Sequence, residues 1–340
     1  MTTVAASTIT TKETTVSSSG HPLIVHQNIG DSFQGTYYVE AQYVKLTTQN
    51  KKYTDMMLRD KSGARNVKFW GTVDNLESGE FVRVTARVED YQGNASIIAS
   101  KVEKVAEPSD LSDFIPTFDN LKETQDMLAE LIGEVVKMEG SQNQETCRML
   151  LGEIFNVNEA FYGRFVESPG SEFPHYGRSG GLMVATVNVA KAALALSERY
   201  GFGDMEKSIL ITAALLHRIG AADAFAFEHC MPKCSKKGIL IGTGYLTFNR
   251  LSAAIRKVVA DAKKNNKTIS QDVILRILHA VSSHDETMVK PMAKEALILA
   301  AAFRSDAEMV ETFDFMANDL NVNDEFTAYD VRRGRRYLRG

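Results

Sequence analysis

The feature that most constrains this fold is a change in the spacing of apolar residues near residue 105. Before that point, residues rich in Tyr, Val and Thr alternate with polar ones, and turn signals recur at short intervals. Alternation is typical of strands, and short strands at regular spacing favour a small antiparallel barrel or sandwich. The predicted strands lie within residues 36–48, 52–63, 64–71, 79–94 and 95–105.

After residue 118 the apolar spacing becomes helical and continues to about residue 320. A linker that contains two prolines is predicted over 106–117. At 340 residues the chain is long enough for two domains with separate cores. We therefore expect a multidomain α+β protein, in which an N-terminal antiparallel β-barrel precedes an all-α domain.

Composition limits the classes of function. A net charge of −4 argues against coating nucleic acid by bulk charge, so any such binding needs local basic patches. Three cysteines without a regular pattern indicate a reducing compartment, and we expect the cytoplasm. No run of about 18 apolar residues occurs, so no membrane association is expected. The first 20 residues contain 11 Ser or Thr, which predicts a polar, flexible tail rather than a secretory signal.

Two segments of the strand-like region resemble the OB-fold of YhaM-type 3′–5′ exoribonucleases. They are KKYTDMMLRDKSGARNVKFWGT (51–72) and GEFVRVTARVEDYQGNASIIASKVEKV (79–105). In the order found in that family, they carry a Tyr-led strand, an Asp-x-x-Gly turn, a strand ending in Trp and a late strand ending in Tyr-x-Gly. The resemblance implies that the barrel is of the OB type.

The helical region resembles the HD domain of the same family. The similar segments are FYGRFVESPGSEFPHYGRSGGLMVATVNVA (161–190), LLHRIG (215–220), KGILIGTGYL (237–246), AVSSHDE (280–286), AAAFRSDAEM (300–309) and FTAYDVRRGRRYL (326–338). The similarity covers roughly residues 33–338. The implied organisation is a polar tail (1–30), an OB-fold (31–105), a linker and helical spacer (106–160), an HD-like domain (161–322) and a basic C-terminal tail (323–340).

The resemblance also implies which positions would form a divalent metal site. Carried over residue by residue, the family's positions fall on His175, Tyr176, Ala185, His217, Arg218, Thr243, His284, Asp285 and Phe303, with Asp306 one helical turn further on. Three histidines remain, but Ala185 and Phe303 offer no lone pair. Arg218 places a permanent cation where a metal would bind, and two unit charges about 4 Å apart interact by ~4 kcal/mol at an effective dielectric near 20. We therefore expect no metal, no cofactor and no catalysis by this route.

Two other hypotheses stay open. One is an active phosphodiesterase that uses Mn or Mg in a rearranged site, with residual candidates His175, His217, His284, Asp285 and Asp306. The other is a scaffold or inhibitor that binds a protein partner through the helical domain.

Several motifs also have simpler interpretations. Taken alone, His217 is a buried helix-end histidine with a local hydrogen bond. His284-Asp285 is a loop pair in which the carboxylate orients the imidazole. The segment HCMPKC (229–234) lacks an obvious fourth ligand for structural zinc. Gly180-Gly181 is interpreted as a turn that allows close packing before a helix over 182–200.

The barrel resemblance implies binding of single-stranded RNA or DNA, since OB-folds use aromatic platforms and a cationic groove. The candidate residues are Lys52, Tyr53, Arg59, Lys68, Arg83, Arg87 and Tyr91. For Arg83 and Arg87, a merely solvated strand face is the alternative. Phe69 and Trp70 cannot both face outward, and we expect Trp70 to pack inside the barrel.

Arginines are concentrated at the C-terminus. The candidates for phosphate binding there are Arg332, Arg333, Arg335 and Arg336, followed by Arg339. Alternatively, this cluster docks on an acidic face of a neighbouring subunit, such as the one offered by residues 306–319. The leading hypothesis is a non-catalytic single-stranded nucleic-acid-binding protein that, by resemblance, forms a homo-oligomer.

Overall fold

The computed structural model describes residues 20–91, 94–118, 120–138, 142–172, 176–319 and 324–339. Most of the predicted polar tail, up to residue 19, lies outside these residues, as does the candidate ligand His175. The described residues fall into two compact units that divide between Pro116 and Thr117.

The first unit is a closed barrel with strand order β1-β2-β3-β5-β4, in which β1 also pairs with β4. All neighbours are antiparallel except β3 and β5, which are parallel. This arrangement confirms the predicted OB-type barrel. Its strands are β1 (Ser32–Leu46), β2 (Lys52–Asp60), β3 (Gly63–Phe69), β4 (Phe81–Tyr91) and β5 (Asn94–Val105), and a short 3₁₀ turn (Ile24–His26) precedes them.

Alternation along the strands builds the barrel core. Inward side chains come from every strand and are fully or almost fully buried, as the period of two requires. They include Tyr37, Val39, Met56, Leu58, Val67, Val82, Val84, Val88 and Ile97. The predicted Asp-x-x-Gly turn joins β2 to β3, where Gly63 has φ +136° and pairs with Asp60. The buried Asp60 carboxylate accepts hydrogen bonds from the backbone N–H of Ile24 (2.6 Å) and of Ser62 (2.8 Å).

The second unit confirms the predicted helical region. Its longer helices are α1 (Leu121–Lys137), α2 (Gln142–Ile154), α3 (Ala160–Glu167), α4 (Gly181–Arg199), α5 (Asp204–Leu216), α8 (Thr243–Lys264), α9 (Gln271–Ser283) and α10 (Lys294–Asn318). Its shorter elements are α6 (Ala221–Ala224), β6 (Phe225–Glu228), β7 (Met231–Cys234) and α7 (Lys236–Ile241).

Helices α4 and α5 form the centre of this unit and are buried along most of their length. Helices α1 and α2, from the predicted spacer, contribute Leu131 and Leu150 to the same core. By length and composition α4 is the one helix in the described chain that is apolar enough to cross a membrane, but 61% of its apolar window is buried inside the unit.

A close glycine turn leads into α4, as predicted. Gly180 has φ +78°, a conformation that favours glycine. A Cβ added to Gly181 would lie 2.1 Å from the carbonyl oxygen of Tyr176, so no larger residue fits there without displacement. The turn therefore fixes the loop between α3 and α4 close to the start of α4.

Candidate functional site

The outer surface of β1, β2 and β3, together with the end of β4, carries a group of aromatic and basic side chains, which we call the outer aromatic face. Its members are Tyr43, Lys45, Tyr53, Lys68, Trp70, which directly follows β3, and Tyr91, which ends β4. Strand register brings them together, because Lys45 is the partner of Tyr53 and Asp55 lies between Tyr43 and Lys68. Side chains alternate along a strand, so on β2 and β3 the neighbours Thr54, Val67 and Phe69 point inward while Tyr53 and Lys68 lie on the outer side.

The aromatic rings of this face are available for stacking. Tyr43, Trp70 and Tyr91 are 63%, 60% and 63% exposed, respectively. The rings of Tyr53 and Trp70 contact each other, with centroids 5.2 Å apart and planes tilted by 44°. The ammonium group of Lys68 lies 5.7 Å from the centroid of the Tyr91 ring. This contact joins Tyr91 to the rest of the outer aromatic face. Exposed rings beside lysines are the arrangement that single-stranded nucleic acid requires.

One carboxylate lies within the face and balances part of its charge. Burial raises the pKa of Asp55, but hydrogen bonds from Lys45 and Asn66 outweigh burial and hold that pKa below its usual range. The same hydrogen bond to Asp55 raises the pKa of Lys45. Asp55 is therefore ionised at neutral pH, and of the two lysines Lys68 contributes more to the positive potential of the face.

The barrel residues predicted from sequence are distributed unevenly around this face. Tyr53, Lys68 and Tyr91 belong to it, and Lys52 is exposed at the start of β2. Arg59 instead pairs with Glu40 at 2.9 Å. Register places the remaining two candidates, both exposed, on the part of the barrel formed by β1, β4 and β5. They are Arg83, beside Thr36 and Glu103, and Arg87, beside Ser32 and Ile98.

The prediction for Trp70 was wrong, and two other residues of the outer aromatic face were not predicted from the sequence. Trp70 was expected inside the barrel, but it is exposed, and Phe69 packs against the core in its place. Tyr43 and Lys45 were not among the candidates, although both lie in a segment predicted as a strand. The alternation of residues near the end of β1 could have identified them, because Tyr43 and Lys45 lie on one side of the strand and Val44 lies on the other.

The C-terminal arginines are mainly engaged within the helical unit. Arg333 pairs with Glu311 at 2.5 Å, Arg335 lies 3.9 Å from Glu308, and Arg339 pairs with Asp319. The acidic face that these residues contact thus belongs to the same chain, on and just after α10. Arg332 and Arg336 are exposed.

In the helical unit, His217 and His284 end helices α5 and α9 and face each other. Nδ1 of His217 lies 2.6 Å from the carbonyl oxygen of Ala214, and Nδ1 of His284 lies 2.6 Å from that of Val281. Because a carbonyl oxygen only accepts, Nδ1 carries the proton in both rings and Nε2 keeps a lone pair. Burial lowers the pKa of both imidazoles, which are therefore neutral at pH 7.

This geometry agrees with the simpler interpretation of His217 and corrects that of His284. His217 is a buried helix-end histidine with a local hydrogen bond. Asp285, however, does not orient the imidazole of His284. Its exposed carboxylate accepts hydrogen bonds from the backbone N–H (3.1 Å) and hydroxyl (2.9 Å) of Thr287.

An aromatic ring lies where the family resemblance places a further metal ligand. The centroid of the Phe303 ring is 4.7 Å from that of His284 and 5.7 Å from that of His217, edge-on in both cases. The two imidazole centroids are 5.0 Å apart. The three rings thus pack edge-to-face against one another, and Ala185, which is buried, adds no donor.

Arg218 and Asp306 form a polar network beside these rings. Arg218 donates a hydrogen bond from Nη2 to the carbonyl oxygen of Gly170 at 2.7 Å. The hydroxyl of Tyr176 donates to the carboxylate of Asp306, 2.9 and 3.1 Å from its two oxygens. Asn188 in turn donates to the Tyr176 hydroxyl at 3.2 Å. Burial raises the pKa of Asp306, while Tyr176 and Arg218 oppose that shift.

Among the described residues, the side chains of this pocket do not by themselves form a donor set for a divalent metal ion. Metal sites of this kind need at least three protein donors together. Across the described residues, no three His, Cys, Asp or Glu side chains are grouped so that they could hold an ion. The HCMPKC segment is no exception. A cationic guanidinium and a phenyl ring occupy two positions at which the family resemblance places ligands. His175 lies outside the described residues.

Over most of its length the chain is similar to curated proteins named 3′–5′ exoribonuclease YhaM. No family model matches it. It is 23% identical over 300 residues to the 3′–5′ exoribonuclease YhaM of Geobacillus sp. (strain WCH70), covering 84% of this chain and 85% of that protein. It is 22% identical over 301 residues to YhaM of Bacillus subtilis (strain 168), covering 84% and 88%.

Solved structures similar to the barrel come from replication protein A. One is the second OB-fold domain of replication protein A from Methanococcus maripaludis, with 14% identity, a TM-score of 0.20 and coverage of 26% of this chain and 96% of that domain. Another is a replication protein A heterotrimer bound to single-stranded DNA, with 15% identity, a TM-score of 0.20 and coverage of 26% and 67%.

Proposed function

We propose that the chain binds single-stranded nucleic acid, which its similarity over most of its length to proteins named 3′–5′ exoribonuclease YhaM supports, but that it does not cleave the strand. The observation that carries this proposal is the outer aromatic face, where exposed rings and lysines adjoin. Rings stack on bases only when the bases are unpaired, so single strands are preferred to duplexes. We place this activity in the cytoplasm, by analogy with nucleic-acid-processing relatives.

The proposed lack of cleavage rests on the helical unit. A two-metal mechanism needs donors that bridge and hold both ions. The described pocket supplies two imidazoles, packed edge-on against Phe303 and next to the cation Arg218. Binding by the barrel therefore continues without hydrolysis at this pocket.

The test uses Trp70, the single tryptophan of the chain, as a direct reporter. Single-stranded RNA and DNA of about 12 nucleotides, within the site size of OB-folds, are titrated at low salt. Stacking of a base on Trp70 should quench its fluorescence, with saturation in the micromolar range or below. A hairpin duplex of the same composition is the control. Absence of both quenching and a gel shift at micromolar protein would refute the proposal.

A second candidate function is an active Mn- or Mg-dependent exoribonuclease. The names of the curated relatives favour it, as do the Nδ1–H tautomers, which leave the Nε2 lone pairs of His217 and His284 directed away from their backbone partners. Shortening of labelled RNA that requires manganese and is abolished by His217→Ala would establish this function and overturn the first. Loss of the activity in EDTA without a response to His217→Ala would indicate a contaminating nuclease.

Homo-oligomer formation remains a proposal that is independent of both functions. Light scattering after size-exclusion chromatography measures it directly. A single species at the mass of one chain, across micromolar concentrations, would contradict it.

A further inference from the structure

The pocket beside His217 contains a built-in cation at the position where the family resemblance places a metal ligand. Arg218 follows His217 at the end of α5 and is partly buried. Its guanidinium is permanently charged and carries five N–H donors in a fixed plane. It therefore supplies the positive charge that a bound cation would supply, and it adds directional hydrogen bonds.

Two carboxylates lie within electrostatic range of the guanidinium. Asp306 and Asp285 both attract the Arg218 cation. Asp306 lies partly buried on α10, and an ionised carboxylate in such a position is costly unless a positive charge or several hydrogen-bond donors compensate it. Tyr176 provides the donor and Arg218 the charge.

The same two residues hold two described residues of the segment between α3 and α4. Arg218 binds the carbonyl of Gly170, and Asp306 binds the hydroxyl of Tyr176. The N–H of Gly170 in turn donates to the carbonyl of Tyr176 at 2.8 Å, which joins the two residues directly. Residues from the ends of α5 and α10 thus meet on one short segment.

We propose that the guanidinium of Arg218 takes the place of a bound metal ion in this pocket, compensating the Asp306 carboxylate and clamping the α3–α4 loop to the end of α5. The helical unit then reaches its folded state without a metal. This role does not depend on nucleic-acid binding by the barrel.

A double-mutant cycle tests the clamp. The variants are Arg218→Met, which keeps the length of the side chain but removes its charge, Asp306→Asn, and the two combined, each unfolded in urea with EDTA present. We expect each single change to lower the equilibrium constant for folding by about tenfold. The double change should lower it less than the product of the two single effects, by a factor of about five or more. Simple multiplication of the single effects would overturn the proposal.

Metal dependence provides a second readout, which an ordinary structural contact would not affect. Wild-type protein should contain no stoichiometric transition metal by elemental analysis, and its urea midpoint should be the same in EDTA and in millimolar MnCl₂. A midpoint that falls in EDTA, or one bound metal per chain, would overturn the proposal even if the variants fail to fold. Arg218→Met should bind RNA as the wild type does, so this test is separable from that of the proposed function.

Discussion

Replacement of Trp70 by alanine is the sharpest test of the outer aromatic face. Stacking of one base on an exposed aromatic side chain contributes about 1–3 kcal/mol. The Trp70 ring is 60% exposed but contacts Tyr53, so it offers one open face and room for one base. We therefore expect the middle of that range, about 2 kcal/mol, which corresponds to a Kd that is about 30-fold weaker.

The assay is fluorescence anisotropy of a labelled single-stranded oligonucleotide, since Trp70→Ala removes the intrinsic reporter. Trp70→Phe keeps a smaller stacking surface and should lose only part of the affinity. Tyr200→Ala is the matched control, because Tyr200 is 69% exposed but lies in the helical unit. Urea unfolding of Trp70→Ala should change by less than about 0.5 kcal/mol, as is usual at exposed positions.

Two results would refute the reasoning. One is a Kd for Trp70→Ala within twofold of the wild type, which would mean that no base stacks on this ring. The other is an equal loss in Tyr200→Ala, which would move binding away from the barrel or show it to be unspecific.

Three further predictions concern charge, the C-terminal segment and a buried thiol. In a plot of log binding constant against log salt, Lys68→Ala should make the slope shallower by about 0.7, the value for one phosphate contact on a single strand. Lys45→Ala should change that slope less, because Asp55 already neutralises Lys45. Arg333→Ala should lower the free energy of unfolding in urea by about 1–3 kcal/mol without weakening RNA binding, because it removes a partner from the buried Asp330 carboxylate and from the partly exposed Glu311 carboxylate; unchanged stability would contradict the docking of the C-terminal segment on α10. Burial raises the pKa of the Cys147 thiol to about 11, so this thiol should react with Ellman's reagent at pH 8 only after unfolding in urea, and rapid labelling of the native protein at Cys147, located by peptide mapping, would show that the α2 core opens.

The sequence by itself determined that the chain divides near residue 105 and that a β-barrel precedes a helical region. Period-two alternation before residue 105 and helical spacing after it are local properties, so they predict strands and helices without knowledge of their partners. The Asp-x-x-Gly turn and the Gly180-Gly181 turn were predictable for the same reason, since backbone conformation at glycine is local. The nature of His217 as a helix-end histidine also followed from three or four residues.

Only the tertiary structure decided which of the candidate residues meet. The Tyr176–Asp306 contact joins residues 130 positions apart, and the Arg218–Gly170 contact spans 48 positions. No local pattern specifies such pairs, because they depend on how α5 and α10 pack against the α3–α4 loop. The side of the barrel wall on which Trp70 lies was likewise set by the register of β3 against β2, and a shift of one residue exchanges inside and outside.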